Sequence, residues 1–309
     1  MSGDLRFDGR VAVVTGGGRG LGRAYAELLA SRGARVVVND TGAAISGTDG
    51  DTGVAESVAA AIRAAGGEAV ANNESVATAD GGAAIVSSAL DAFGRIDILI
   101  HNAGNNRYAP LTEMTYEDFD AVLDVHLRGA FHVVRPAFGH MVEAGYGRVV
   151  LTSSIGGLYG NTRVANYGAA KAGMIGLSNV VALEGADHGI RSNVIVPAAL
   201  TRLAEGLDTS KYPPMDPELA APAVGWLAHE SCSITGEMLV TIAGRIARAY
   251  IAETPGVYQP EWTVEQVGER IDQIRDTADS WLLPVVPSAH VDHITRSFAM
   301  ATEGSAHVG

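Results

Sequence analysis

The sequence predicts an α/β fold: a doubly wound, seven-stranded parallel sheet with helices on both faces, then a C-terminal helical extension. Short β-branched runs alternate with longer Ala- and Leu-rich segments over residues 11–242, the pattern of successive β–α units. A glycine-rich turn joins the first run to the first helix, and the second run ends in an acid. The 309 residues are 47% apolar and 18% charged, which supports a large core and excludes a disordered chain.

Residues 11–14 form the first strand, followed at once by Thr15-Gly16-Gly17-Gly18-Arg19-Gly20-Leu21-Gly22 and a helix over 24–30. Strand, glycine turn and helix N-terminus make a cradle in which backbone N–H groups and a positive dipole end meet a pyrophosphate. The second strand, 35–39, delivers Asp40 about 20 residues past the turn, where adenosine ribose hydroxyls are read. An Asp there repels a 2′-phosphate and favours NAD over NADP; Arg19 in the loop pulls the other way. A Gly-, Thr- and Asp-rich surface loop covers 41–53, and a helix is expected over 54–65. The third strand is 68–72 and, after Ser75-Val76, a helix spans 80–93. The fourth strand, 97–101, carries Asn102-Ala103-Gly104 to its carboxyl end, the edge at which open α/β sheets bind ligands. A helix over 116–138 holds His126.

The fifth strand, 148–152, leads through Ser154 to a helix over 166–183. Tyr167 and Lys171 lie four residues apart on it, so their side chains share a face. A nearby ammonium favours the phenolate and is expected to pull the Tyr167 pKa toward neutrality. A Ser154 hydroxyl at the strand end can hold a substrate oxygen while the tyrosine exchanges its proton, which is the chemistry of alcohol–carbonyl interconversion. Lys171 and Lys211 are the only lysines among 22 basic residues. That matters because arginine cannot readily shift its pKa.

A sixth strand spans 191–196 and ends in Pro197-Ala198-Ala199-Leu200-Thr201. Residues 203–222 are expected to be irregular, with Pro213, Pro214 and Pro217 forbidding a continuous helix, and to form a substrate-side flap. The seventh strand is 237–242. From about Arg245 the pattern changes, dividing a domain of 1–245 from an extension of 246–309. In the extension Thr263-Val264-Glu265-Gln266 is a capping box opening a helix with Val267, Ile271 and Ile274 on one side. A second amphipathic stretch shows Val291, Ile294 and Phe298. The extension is expected to pack on the core or on a partner subunit.

A net charge of -13 and a pI near 5.1 argue against a nucleic-acid partner. One cysteine, Cys232, excludes an internal disulfide framework. No run approaches the roughly 18 apolar residues of a membrane span. The first residues lack a signal-peptide profile and the last lack a Ser-Lys-Leu address, so a cytoplasmic location is expected. No His or Cys spacing suggests a metal.

Over about residues 7–245 the chain resembles the short-chain dehydrogenase/reductases, on Thr15 to Gly22, Asp40, Asn102-Ala103-Gly104, Ser154, Tyr167 and Lys171 in the family's order and spacing. The resemblance implies a Rossmann fold and NAD(P)-dependent oxidoreduction, with Asp40 favouring NAD. Tyr167 is then the acid/base, Lys171 lowers its pKa and holds the nicotinamide ribose, and Ser154 positions the substrate oxygen. The implied cofactor contacts are Gly16, Arg19, Gly20, Leu21, Asp40, Ser75, Val76, Asn102, Ala103, Gly104, Tyr167, Lys171 and Thr201. Ala198 replaces the Gly usual after Pro197. Where many members carry an Asn completing a water relay to the Lys, this chain has His126, expected to be structural or relay-forming within the catalytic group. Asp-Val-His-Leu-Arg-Gly-Ala at 124–130, Tyr146-Gly147-Arg148, Tyr159-Gly160-Asn161 and His229-Glu230-Ser231-Cys232 narrow the resemblance. They look like the (3R)-hydroxyacyl-CoA dehydrogenase units of peroxisomal D-bifunctional enzymes and their single-domain bacterial relatives. That resemblance implies an acyl-CoA substrate. Arg107 and Arg163 follow strand ends on the catalytic side of the sheet and are candidate contacts for its phosphates, and a homodimer or homotetramer is expected. A dehydrogenase of a free hydroxyl on a steroid, sugar or small alcohol is an alternative, because the fold does not fix the substrate. A catalytically idle NAD-binding scaffold is a third.

Overall fold

The computed structural model describes residues 4–44, 46–47, 50–200 and 212–306. Its sheet is built from β1 Val11–Thr15, β2 Arg35–Asn39, β3 Glu68–Asn72, β4 Ile98–His101, β5 Gly147–Thr152, β6 Ile190–Ala198, β7 Met238–Ile242 and β8 Arg245–Ala249. The order is β3-β2-β1-β4-β5-β6-β7-β8, and each neighbouring pair through β7 is parallel. Strands covered on both faces read as near-continuous apolar runs, and every residue of β1 and β5 is buried, the polar Thr15, Arg148 and Thr152 at their ends included. One face is packed by α1 Gly20–Ser31, α2 Gly53–Ala64 and α8 Ala221–Ala228, the other by α3 Ala79–Phe93, α5 Gly129–Ala144 and α7 Ala165–Gly185. A fully buried valine of the β2 run contributes roughly 1.5–3 kcal/mol.

The sheet has eight strands, not seven. Ala243 and Gly244 both have positive φ, 47° and 79°, as the type I′ turn of a two-residue hairpin requires. So short a connection can only make β8 antiparallel to β7. In β8 no position is fully buried, so its sequence lacks the apolar run that marks the other strands. The helix expected over 116–138 is also interrupted. α4 Tyr116–Leu123 passes into a π-helical turn, Asp124–Arg128, before α5 continues to Ala144. Of the stretch expected to be irregular, 203–211 lies outside the described residues. The remainder holds a 3₁₀ turn, Pro217–Leu219, and the start of α8, with Pro222 in its first turn, where a missing N–H costs little. α8 is apolar on nearly every side and so shows no 3.6-residue period. A short α6, Ile155–Tyr159, follows β5.

At the amino end of the central strands Asp97 is fully buried. It accepts hydrogen bonds from Val11 N, Arg10 and Arg95. The chain divides into two compact units, Met1–Arg248 and Ala249–Gly309. The second contains α9 Val264–Glu269, α10 Ile271–Ile274 and α11 Ala289–Ala306. Both halves of the Thr263–Gln266 capping box are formed. No described helix is long and apolar enough to cross a membrane.

Candidate active site

The candidate catalytic group is set by how α7 starts. Asn166 is fully buried. Its amide donates to the Arg107 and Asp118 carbonyls, both at 3.0 Å, and its oxygen accepts from Tyr167 N at 2.7 Å. One turn on, Lys171 Nζ donates to the Thr152 carbonyl at 2.6 Å and lies 5.6 Å from the Tyr167 ring centroid. Ser153 Oγ donates to the Lys171 carbonyl at 2.7 Å, tying the end of β5 to the same turn. Ser154 Oγ accepts from Gly156 N at 3.1 Å, which caps α6, and its hydroxyl is close enough to Tyr167 to bear on the pKa of the phenol.

The expected fall of the Tyr167 pKa does not occur. Burial pushes this phenol up, with Ser154 partly opposing it. The same burial brings Lys171 down to about 7 from 10.5. Taking both groups out of water favours their neutral forms, and that outweighs the attraction expected from a four-residue spacing.

His126 lies on the π-turn and is buried. Its ring meets Tyr167 edge-on, centroids 5.3 Å apart and planes at 88°. Nε2 lies 2.8 Å from the backbone oxygen and 3.2 Å from the backbone nitrogen of Asn105, so according to its tautomer it donates to the first or accepts from the second, and Nδ1 is buried without a partner. Burial, then the Lys171 charge, hold its pKa well below the usual imidazole value, so the ring is neutral. π-turns inside α-helices recur at functional sites.

These groups open onto a cleft of about 950 Å³ at the carboxyl ends of the strands. Gly16, Arg19, Gly20, Leu21, Asp40, Ser75, Val76, Asn102, Ala103, Gly104, His126, Ser154, Tyr167 and Lys171 all line it. Thr201 lies outside the described residues. The cleft is built to take a dinucleotide. α1 begins with no side-chain cap and no acid in its first turn, leaving its N–H groups for an anion. Gly16 has φ 62°, and a Cβ there would sit 2.7 Å from Ala103 Cα. A Cβ at Gly22 would collide with the Gly16 carbonyl. Asp40 accepts from Gly18 N at 3.0 Å and Gly42 N at 2.7 Å, and each oxygen keeps a lone pair for a ribose hydroxyl. Arg19 turns onto the loop carbonyls of Gly42 and Ala43, both at 3.4 Å.

Sequence reasoning placed Thr15 in the glycine motif without giving it a partner, and did not single out His101 or Asn166. Thr15 and Asn166 adjoin residues it did identify, but their partners are remote in sequence. Arg107 pairs with Asp118 at 2.9 Å and donates to the Ser46 carbonyl at 3.2 Å. Arg163 is exposed, with φ 66°.

The model of the short chain dehydrogenase family matches residues 10–208. The peroxisomal multifunctional enzyme type 2 of Drosophila melanogaster is 44% identical over 293 residues, 93% of this chain and 48% of that protein. The chain thus spans about half the length of that relative. The structure of that full-length enzyme superposes with a TM-score of 0.80 at 37% identity, covering 96% of this chain and 50% of the other. A short-chain type dehydrogenase/reductase of Mycobacterium tuberculosis is 44% identical over 86% of this chain and 94% of its own. A hydroxyacyl-CoA dehydrogenase of the same species is 36% identical over 78% and 79%. The chain belongs to the short-chain dehydrogenase family, and is an oxidoreductase that works with a nicotinamide cofactor on a small-molecule substrate.

Proposed function

We propose that the protein is an NAD-dependent dehydrogenase that oxidises a (3R)-hydroxyacyl-CoA to the 3-ketoacyl-CoA. The observation that carries the reaction is the gathering of Ser154, Tyr167 and Lys171 in one cleft with Asp40, with Lys171 Nζ 5.6 Å from the Tyr167 ring centroid. A nicotinamide, when bound, supplies or accepts the hydride. Ser154 donates a hydrogen bond to the substrate oxygen and aligns it. Tyr167 takes the hydroxyl proton in oxidation and returns it in reduction. Lys171, with a pKa near 7, is able to pass a proton on at neutral pH, and His126 holds the helix beside it. Asp40 accepts both adenosine ribose hydroxyls, and its charge disfavours the 2′-phosphate of NADP.

The substrate class is supported by the hydroxyacyl-CoA dehydrogenase among the relatives and by the resemblance at 124–130. Of the two candidate arginines we favour Arg163 for the CoA phosphates, because Arg107 is already paired with Asp118. Those phosphates approach a chain of net charge -13, so a local cation must offset long-range repulsion. The single cysteine suits a cytoplasmic enzyme, and we place residues 246–309 in a homo-oligomer as an extension.

A panel of acyl-CoAs of several lengths, free alcohols and sterols, each with NAD and with NADP, tests the reading by absorbance of the reduced nucleotide. Turnover of 3-hydroxyacyl-CoAs with a higher kcat/KM for NAD is expected. Failure of every acyl-CoA beside good turnover of a free alcohol would overturn the substrate, and a preference for NADP would overturn the role of Asp40.

A further inference from the structure

His101, at the carboxyl end of β4, plays no part in the reaction described above, yet it is fully buried beside the cleft. The β1–β4 register sets it directly opposite Thr15. Thr15 Oγ1 accepts from Asn102 N at 3.1 Å and Ala103 N at 3.2 Å, which commits both of its lone pairs. Its one hydrogen is left for His101 Nδ1 at 3.0 Å. Nδ1 is therefore an acceptor and the ring proton sits on Nε2, which donates to the His126 carbonyl at 3.0 Å. That carbonyl belongs to the π-turn and also receives the N–H of Gly129. The wire runs from the Asn102–Ala103 turn through Thr15 and His101 to the main chain of His126, whose ring packs on Tyr167.

We propose that His101 is a positioning residue: it ties the cofactor-lining Asn102–Ala103 turn to the π-turn, and through the His126 ring it sets where Tyr167 stands for proton transfer. The inference rests on the acid/base role of Tyr167. Burial, with the Lys171 charge second, takes His101 down to about 3, so the wire keeps one direction throughout the working pH range.

Two substitutions each keep one half of the wire. In His101→Gln the amide nitrogen reaches the place of Nε2 and donates to the His126 carbonyl, whereas the link to Thr15 is lost. In His101→Asn the amide oxygen takes the place of Nδ1 and accepts from Thr15, whereas the link to His126 is lost. We expect His101→Gln to weaken NADH binding about fivefold by fluorescence titration with kcat within about threefold of wild type. We expect His101→Asn to keep the NADH affinity while kcat falls about tenfold or more. In the wild-type protein the ¹⁵N imidazole resonances lost in both variants should show an unprotonated Nδ1 and a protonated Nε2, unchanged from pH 5 to pH 8. Equal losses of kcat in the two variants, or a His101 that titrates or carries its proton on Nδ1, would overturn the proposal. Failure of the underlying reading shows separately: Tyr167→Phe would then keep turnover, while the imidazole spectrum and the NADH affinities remained as expected.

Discussion

Tyr167 and Lys171 compete for the same small reservoir of solvation, and the protonation of each reports on its burial. Tyr167→Phe should abolish turnover while NADH still binds; retention of more than about a tenth of wild-type kcat would exclude the phenol as acid/base. In the wild type, with the phenol pushed up by burial, oxidation must first remove its proton. The kcat/KM for oxidation should therefore climb with pH on the alkaline side, and that for ketone reduction should fall. Lys171 makes a second claim on pH, through stability. Its folded pKa of about 7 lies below the ordinary 10.5, so between those values the unfolded chain holds more protons. Stability then rises with pH across that window, and the burial penalty is full below pH 7. Lys171→Met should end catalysis yet raise Tm at pH 6, with the gain shrinking toward pH 10. Each unit of the window is worth at most about 1.4 kcal/mol, less what the lost bond to Thr152 contributes. Equal Tm differences at pH 6 and pH 9.5, measured by calorimetry, would refute this.

At the scale of elements, the π-turn at Asp124–Arg128 presents a His126 carbonyl that meets the His101 ring as well as the N–H of Gly129. The side chain matters less. His126→Asn should keep at least about a third of wild-type kcat, because a small amide can still meet the Asn105 backbone; a loss matching that of Tyr167→Phe would overturn the relay reading. The turn was not legible in the sequence, since Asp-Val-His-Leu-Arg has ordinary helical composition and the extra residue per turn comes from tertiary bonding. What was legible is local. The glycine cradle and Asp40 follow one another within a single β–α–β unit, and Tyr167 and Lys171 are one helical turn apart. Asn102-Ala103-Gly104 follows a strand that is apolar at three successive positions. Thr15 and His101 are 86 residues apart and become partners only through strand register, which no periodicity encodes. β8 and α8 escaped for the opposite reason, being too weakly or too evenly apolar to show a period.

For the molecule as a whole the closing hairpin has a consequence beyond the count of strands. Without β8, the run Met238-Leu239-Val240-Thr241-Ile242 would be the open edge of the sheet. It is uncharged, free of proline and rich in β-formers, the kind of segment that recruits strands from other chains. β8 substitutes an edge bearing Arg245 and Arg248, both exposed, and Arg248 is pinned to Glu237 at 3.0 Å. Gly244→Val forces a β-branched residue toward φ 79°, which costs about 1–2 kcal/mol and loosens the hairpin before the core feels it. Heated in light scattering, that variant should form particles several degrees below its own loss of helical signal, whereas the wild type should show the two together. The two-residue turn thus governs the chain's colloidal fate: whether a partly opened molecule refolds alone or seeds an aggregate.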